Sequence, residues 1–245
     1  MSDPKSERPD RVIDLAQADE VELRAAINQL SVPDADSDEQ PPLIELLHAD
    51  GRAASCMGWK SPVRVRAAGD WGHYAWAYNQ GPDVHLYGNV GDGIAEGMAD
   101  GIIRVHGNAG CGAGAAMTAG TLAIYGSAGP RCGAAMRGGG VFVLGDVGDD
   151  AGVGALAGTI VVGGDAGRNL GDRLHNVTVF IRGTATSLAP GVTKTSLRKK
   201  EEVRLGLLLM SASIRGSASD FQRVIPVARL EAEEAGQGEL RPNWR

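Results

Sequence analysis

One tetrad, Gly-(Asn/Asp/Ser)-x-Gly, returns along this chain at a fixed interval. It stands at Gly69-Asp70-Trp71-Gly72, Gly88-Asn89-Val90-Gly91 and Gly107-Asn108-Ala109-Gly110. It returns at Gly126-Ser127-Ala128-Gly129, Gly145-Asp146-Val147-Gly148 and Gly164-Asp165-Ala166-Gly167, and a degenerate copy, Gly183-Thr184-Ala185-Thr186, closes the series. Each start lies 19 residues after the one before, six times running, with no insertion. Of the 36 glycines, 29 fall between Gly69 and Gly183. Glycine in this quantity is compatible with collagen, disorder or a repeat packed through its backbone. No Gly-X-Y period runs through the chain, which removes collagen. Apolar runs such as Val141-Phe142-Val143-Leu144 and Thr159-Ile160-Val161-Val162 are the reverse of a disordered composition. A stacked repeat remains.

Positions within the repeat describe its cross-section. The fifteenth and seventeenth residues after the first Gly are aliphatic throughout: Val84/Leu86, Ile103/Val105, Leu122/Ile124, Val141/Val143, Ile160/Val162 and Val179/Ile181. A spacing of two marks a short strand with one buried face. A 19-residue unit is too short for a helix pair, and its middle is too rich in glycine for a stable helix. The expected fold is therefore all-β, a β-helix of about seven 19-residue coils. Each coil's strand pairs with its counterpart one coil along, in a cylinder roughly 34 Å long. Five, seven and nine residues after the repeat start the sequence runs Gly93, Ala95, Gly97, then Gly112, Gly114, Ala116, and later Asp150, Gly152, Gly154; residues this small let opposite walls approach, and glycine suits corner turns. Next comes an internal packing ladder of Met98, Met117 and Met136, then Ala155 and Leu174. The first coil departs from this pattern with Tyr74, Trp76 and Tyr78, which read as a plug or partner surface at the open end.

Residue sixteen of each coil points away from the core: His85, Arg104, Ala123, Phe142, Val161 and Phe180. This outward strip turns from polar to apolar along the cylinder, and Phe142, Val161 and Phe180 call for cover by a partner or by the chain's own C-terminal helix. Three regions follow: an acidic flank over 1–60, the repeat over 61–190 and a helical flank over 191–245. In the first, Asp19 to Glu22 has capping-box spacing and Leu23, Ile27 and Leu30 follow at helical intervals, which predicts a helix over 20–30. Residues 31–42 read as a linker. In the last, Val203, Leu207, Met210 and Ile214 predict an amphipathic helix, Asp220 to Val224 a further one, and the charged tail from Glu231 is expected to be loose.

No residue constellation declares a reaction. A dinucleotide loop needs a single strand before its glycines and a helix after them, whereas here the glycines recur in every coil. The histidines His48, His73, His85, His106 and His175 fall at different repeat positions, and none pairs with a Cys or second His at ligand spacing. Cys111 and Cys132 do not stack, and Cys56 lies outside the repeat, so buried thiols are expected. Arg173 is expected to pair with Asp150 or Asp172. Asn89, Asn108, Ser127, Asp146 and Asp165 are expected to bond their local turns. The first 50 residues carry 13 acids and 4 bases, a net charge of −9, and the other 195 sum to +3. Neither part has the dense basic surface that nucleic acid requires. With no apolar run of membrane length and no paired cysteines, a cytoplasmic protein with no membrane contact is expected.

The repeats Gly88-Asn89-Val90-Gly91-Asp92-Gly93-Ile94-Ala95-Glu96-Gly97-Met98 and Gly107-Asn108-Ala109-Gly110-Cys111-Gly112-Ala113-Gly114-Ala115-Ala116-Met117 resemble the GXGXG domain that ends the large subunit of glutamate synthase. That domain is a right-handed β-helix, and the resemblance covers roughly 61–190. Related β-helices form a stand-alone subunit of N-methylglutamate synthase and a scaffold subunit of formylmethanofuran dehydrogenase. Val12-Ile13-Asp14-Leu15 and Arg204 to Leu209 ahead of Ile214-Arg215-Gly216 are most similar to the free-standing, glutamate-synthase-like subunits. The resemblance implies a non-catalytic subunit of N-methylglutamate synthase. It also implies an amidotransferase-like partner and a synthase-like partner that carries FMN and an iron–sulfur cluster. It transfers no catalytic, cofactor or metal residue onto this chain. The rival readings are the same bracing role in a formyltransferase/hydrolase complex or in glutamate synthase proper, and a β-helix that binds a ligand or catalyses alone.

Overall fold

A computed structural model describes residues 7–30, 39–172, 177–214 and 216–236. Residues 31–38 of the expected linker over 31–42, together with Arg173, Leu174, His175, Arg215 and the tail from 237, lie outside them. The chain is mostly sheet, a β-solenoid of about seven turns of the right-handed β-helix type, with three short helices among the described residues. In chain order the elements are β1 (Arg11–Asp14), α1 (Glu20–Asn28), β2 (Leu43–Leu47), β3 (Arg64–Ala68), β4 (Asp83–Tyr87), β5 (Ile102–Val105) and β6 (Thr121–Ile124). They continue with β7 (Arg137–Val143), β8 (Ala157–Val162), β9 (Thr178–Ile181), β10 (Val192–Ser196), α2 (Lys199–Ser211), β11 (Gln222–Pro226) and α3 (Val227–Glu234).

From β3 to β9 the strands are parallel and pair residues 19 positions apart, as in Val84↔Ile103 and Ile160↔Val179, except at the start of β7, where Arg137 meets Ala157 across a register shift. Residues fifteen and seventeen are fully buried in one continuous core with Met98, Met117, Met136 and Ala155. A second wall is a file of single parallel bridges, Trp71↔Val90 through Ala166↔Ala185. The tetrad glycines are set by the approach of these coils. A Cβ on Gly107 would lie 2.5 Å from the Gly88 carbonyl oxygen, and one on Gly148 would lie 2.5 Å from the Pro130 nitrogen.

The third wall differs from expectation. Positive φ is not confined to corners but recurs at every second residue of the wall, at Gly93, Ala95, Gly97 and even at Tyr74, Trp76 and Tyr78. Amides five and nine residues into a coil donate to the next coil (Gly93 N to Cys111 O, 2.9 Å; Gly97 N to Ala115 O, 2.8 Å). Those seven residues in donate to the coil before (Gly114 N to Ile94 O, 2.9 Å). Positive φ at alternate positions favours glycine there, as at Gly93, Gly97, Gly112, Gly114 and Gly133, although Ala95, Ala116, Arg131 and Ala135 adopt it too.

Both flanks join the sheet. The strand order is β1-β2-β3-β4-β5-β6-β7-β8-β9-β11-β10. β2 meets β3 in parallel at Leu43↔Arg64, a step of 21 residues that hides it from a 19-residue period. Residues around Gly51, Ala54 and Gly58 stack on the first tetrad coil through bonds to Asp70, His73 and Ala77. α1 has the expected capping box, Asp19 with Glu22, and buries Leu23 and Ile27 in the core. At the other end Gln222–Pro226 forms a strand rather than a helix, antiparallel to both β9 and β10. Chain expected to be loose beyond Glu231 remains helical through Glu234.

Candidate functional site

The outward strip is covered by its own chain. Ala123, Phe142, Val161 and Phe180 pack in a second core with Leu205, Leu209, Ala212, Ile214, Ala218 and Phe221. Phe142, Val161 and Phe180 are therefore buried within the subunit, which corrects their reading as a partner interface. The covering helix is the expected one, turned over. α2 presents Leu205 and Leu209 to the strip, whereas Val203, Leu207 and Met210 are 68%, 63% and 75% exposed. At its start, Glu201 accepts from the Arg198 N–H at 2.9 Å. It also joins an ion cluster with Arg223 (3.1 Å), which reaches Glu233 at 2.8 Å, while Arg229 meets Glu233 at 3.2 Å. Burial raises the Glu201 carboxyl, but the Arg198 N–H and guanidinium, with Arg223, outweigh it and hold it below the ordinary range.

The polar end of the same face gathers groups that a position-by-position reading of the histidines misses. Tyr87, His106 and Tyr125 all stand eighteen residues into their coils and adjoin on successive coils: Tyr87 stacks on His106 with ring centroids 4.3 Å apart, and Tyr125 tilts against His106 at 4.9 Å. His85, two positions back on the same face, brings Nδ1 to 3.1 Å from His106 Nε2. Arg104, buried, ion-pairs with Asp83 and lies 3.5 Å from His85 Nε2. The Tyr125 hydroxyl donates to the Ala212 carbonyl at the end of α2 (3.2 Å), tying the ring stack to the covering helix. Reading the eighteenth column as a column is the signal that finds this cluster.

At the first tetrad coil the three aromatics divide. Trp76 is 0% exposed and meets Trp59 and Trp71 edge-on, at 4.9 Å and 5.6 Å, so it is a plug and not a partner surface. Tyr74 and Tyr78 are 49% and 52% exposed. Their rings lie over Gly93 and Gly97, where an added Cβ would come within 2.5 Å and 2.6 Å of a ring carbon. Beside them the His73 Nδ1 accepts from the Asp92 N–H at 3.0 Å.

The tetrad side chains bond across coils rather than within local turns. Asn89 Oδ1 accepts from Asn108 N (2.9 Å), Asn108 Oδ1 from Ser127 N (2.8 Å), Ser127 Oγ from Asp146 N (3.0 Å) and Asp146 Oδ1 from Asp165 N (2.7 Å). Cys56 and Cys132 are buried and Cys111 half-buried, all three as free thiols. Burial pushes the Cys132 thiol up to about 12 and, with Glu20, raises that of Cys56 well above its ordinary value. These are poor nucleophiles. The hydrogen bond that His48 Nδ1 donates to the Asp14 carboxylate, 2.7 Å long, raises the His48 imidazole. An open groove of about 480 Å³ runs beside Asp150, Val153, Asn169 and Asp172. Among the described residues, no group of three or more His, Cys, Asp or Glu side chains is placed to hold a metal ion, and no helix is long and apolar enough to cross a membrane. No protein-family model matches the chain, and no curated protein matches it.

Proposed function

We propose that this chain is a non-catalytic β-helix subunit of a glutamate-synthase-like complex, N-methylglutamate synthase, which makes N-methylglutamate and ammonia from glutamate and methylamine. In that complex it braces an amidotransferase-like subunit against a synthase-like subunit that carries FMN and an iron–sulfur cluster. The observation that carries the reading is the unbroken 19-residue coil with its glycine-rich wall, the feature in which the sequence resembles the GXGXG domains. The geometry suits bracing. Every coil is held to the next by strand pairs, single bridges and a side-chain ladder, so force on one end passes along a stiff cylinder.

The test is purification of the tagged chain from cells that express the complete complex. Expected are two further chains of the stated classes, flavin absorbance in the assembly, and conversion of glutamate and methylamine to N-methylglutamate by the assembly alone. The chain expressed by itself should fold, be colourless and be inactive. Stoichiometric flavin or iron in the folded, isolated chain overturns the reading. Partners of a formyltransferase/hydrolase complex would overturn its choice of assembly.

A further inference from the structure

The chain contains three Asp-Gly pairs, Asp50-Gly51, Asp92-Gly93 and Asp100-Gly101, and no Asn-Gly pair. At such a pair no Cβ shields the second amide, so its nitrogen can attack the aspartyl Cγ. The fold treats the three pairs differently. Gly51 N donates to Asp70 O and Gly93 N to Cys111 O, both at 2.9 Å, so each amide must give up a bond to a neighbouring coil before it can attack. The Asp92 carboxylate is held as well. Its Oδ1 accepts from Cys111 N at 2.7 Å, and its Oδ2 lies 3.4 Å from His73 Nδ1.

At Asp100-Gly101 the arrangement is the reverse. Among the described residues, the Gly101 amide donates to no other coil. It donates to Asp100 Oδ1, the carboxylate of its own pair, at 2.8 Å. Asp100 is exposed, so its carboxyl can turn in solvent. The contact already sets Cγ beside the attacking nitrogen, and rotation about the side chain's own bonds completes the approach without breaking a link between coils.

We propose that Asp100 is a site of spontaneous isoaspartate formation, selected by the fold from the three Asp-Gly pairs. Gly101 N bonds to Cγ of the protonated carboxyl, the C–OH bond breaks, and the hydroxyl leaves with the amide proton as water, closing a succinimide. Water then reopens the ring at either carbonyl. One opening restores Asp100; the other routes the main chain through Cβ and Cγ and leaves the α-carboxylate as a side group. The isoaspartyl product has one more main-chain carbon immediately before β5. Gly101 is packed there so closely that an added Cβ would lie 2.5 Å from Pro82 O, so the longer backbone disturbs the step between coils.

The test ages the full chain, folded, at mildly acidic pH. Isoaspartate is then labelled by methyl transfer from S-adenosylmethionine with a purified isoaspartyl O-methyltransferase, and located by fragmentation mass spectrometry of its peptides. Label should accumulate at residue 100 at least roughly fivefold faster than at 50 or 92, the rate factor of one net hydrogen bond. In the chain unfolded in urea the three pairs should react alike. Asp100→Glu, which can close only a larger and slower ring, should lose the label at this position with no change in melting temperature. Equal rates at the three pairs in the folded chain overturn the proposal, as does a faster rate at Asp50 or Asp92. So does a preference for Asp100 that persists in urea, since the fold would then not be its cause.

Discussion

The carboxamide oxygen of Asn108 accepts from the amide of Ser127, nineteen residues away, and the same bond recurs from Asp70 to Thr184. Each is an exposed side chain that satisfies a backbone donor no strand reaches. Asn108→Ala is expected to cost about 1 kcal/mol, lowering the melting temperature by about 2–4 °C. Glycine positions separate more sharply. At Gly133, φ is +65° and an added Cβ would stand 2.6 Å from Ile160 Cδ1 and 3.0 Å from Met136 Sδ. Gly133→Val should therefore destabilise by about 3 kcal/mol or more, through overpacking and a disfavoured backbone together. Gly206→Ala, in a helix with open space around it, should be neutral or stabilise by up to about 1 kcal/mol. Thermal melting of the two variants side by side checks the contrast. The repeat makes the need for small residues visible, but not its reason. Carbonyls of the preceding coil exclude a Cβ at Gly107, and no pattern within one coil can show that.

Burial of α2 is one-sided, and the sequence leaves the choice of side open. Leu205, Leu208 and Leu209 form as good an apolar stripe as Val203, Leu207 and Met210, so periodicity establishes the helix without choosing its face. The choice is made by the strip beneath it, where Phe142, Val161 and Phe180 take Leu205 and Leu209, and by the ion cluster that fixes Glu201 at the helix start. Leu209→Ala is expected to cost about 2–4 kcal/mol, whereas Leu207→Ala should stay within about 0.5 kcal/mol of wild type. Denaturant unfolding of both distinguishes this docking from its mirror alternative. The strand that follows is hidden from the sequence for a similar reason. Gln222–Pro226 buries four of its five residues, so its apolar run carries no alternation to mark it as a strand.

Across the whole molecule, the C-terminal elements close the solenoid and link its stability to pH. The Glu201 carboxyl is held below its ordinary range in the fold. Its contribution is thus complete above the unfolded pKa of about 4.3 and is lost as pH falls through the lower folded value. Glu201→Gln should lower the melting temperature at pH 7 and flatten its fall between about pH 5 and 3, which calorimetry at several pH values would show. Both sheet ends and the coil axis are legible only in part, since β2 lies off the 19-residue step and β11 runs antiparallel between β9 and β10. The strict 19-residue step also governs how such a molecule can change size. Removal of residues 88–106 would bring the Asp70 carboxylate beneath the Asn108 amide and leave every later coil, and the α2 cover over Ala123 to Phe180, as they stand. Removal of a number that is not a multiple of nineteen would misalign all three walls together. The cylinder's length is therefore quantised in steps of about 4.8 Å, and descendants of such a gene can drift freely in loop composition but can alter the span between the two ends only by whole in-frame coils.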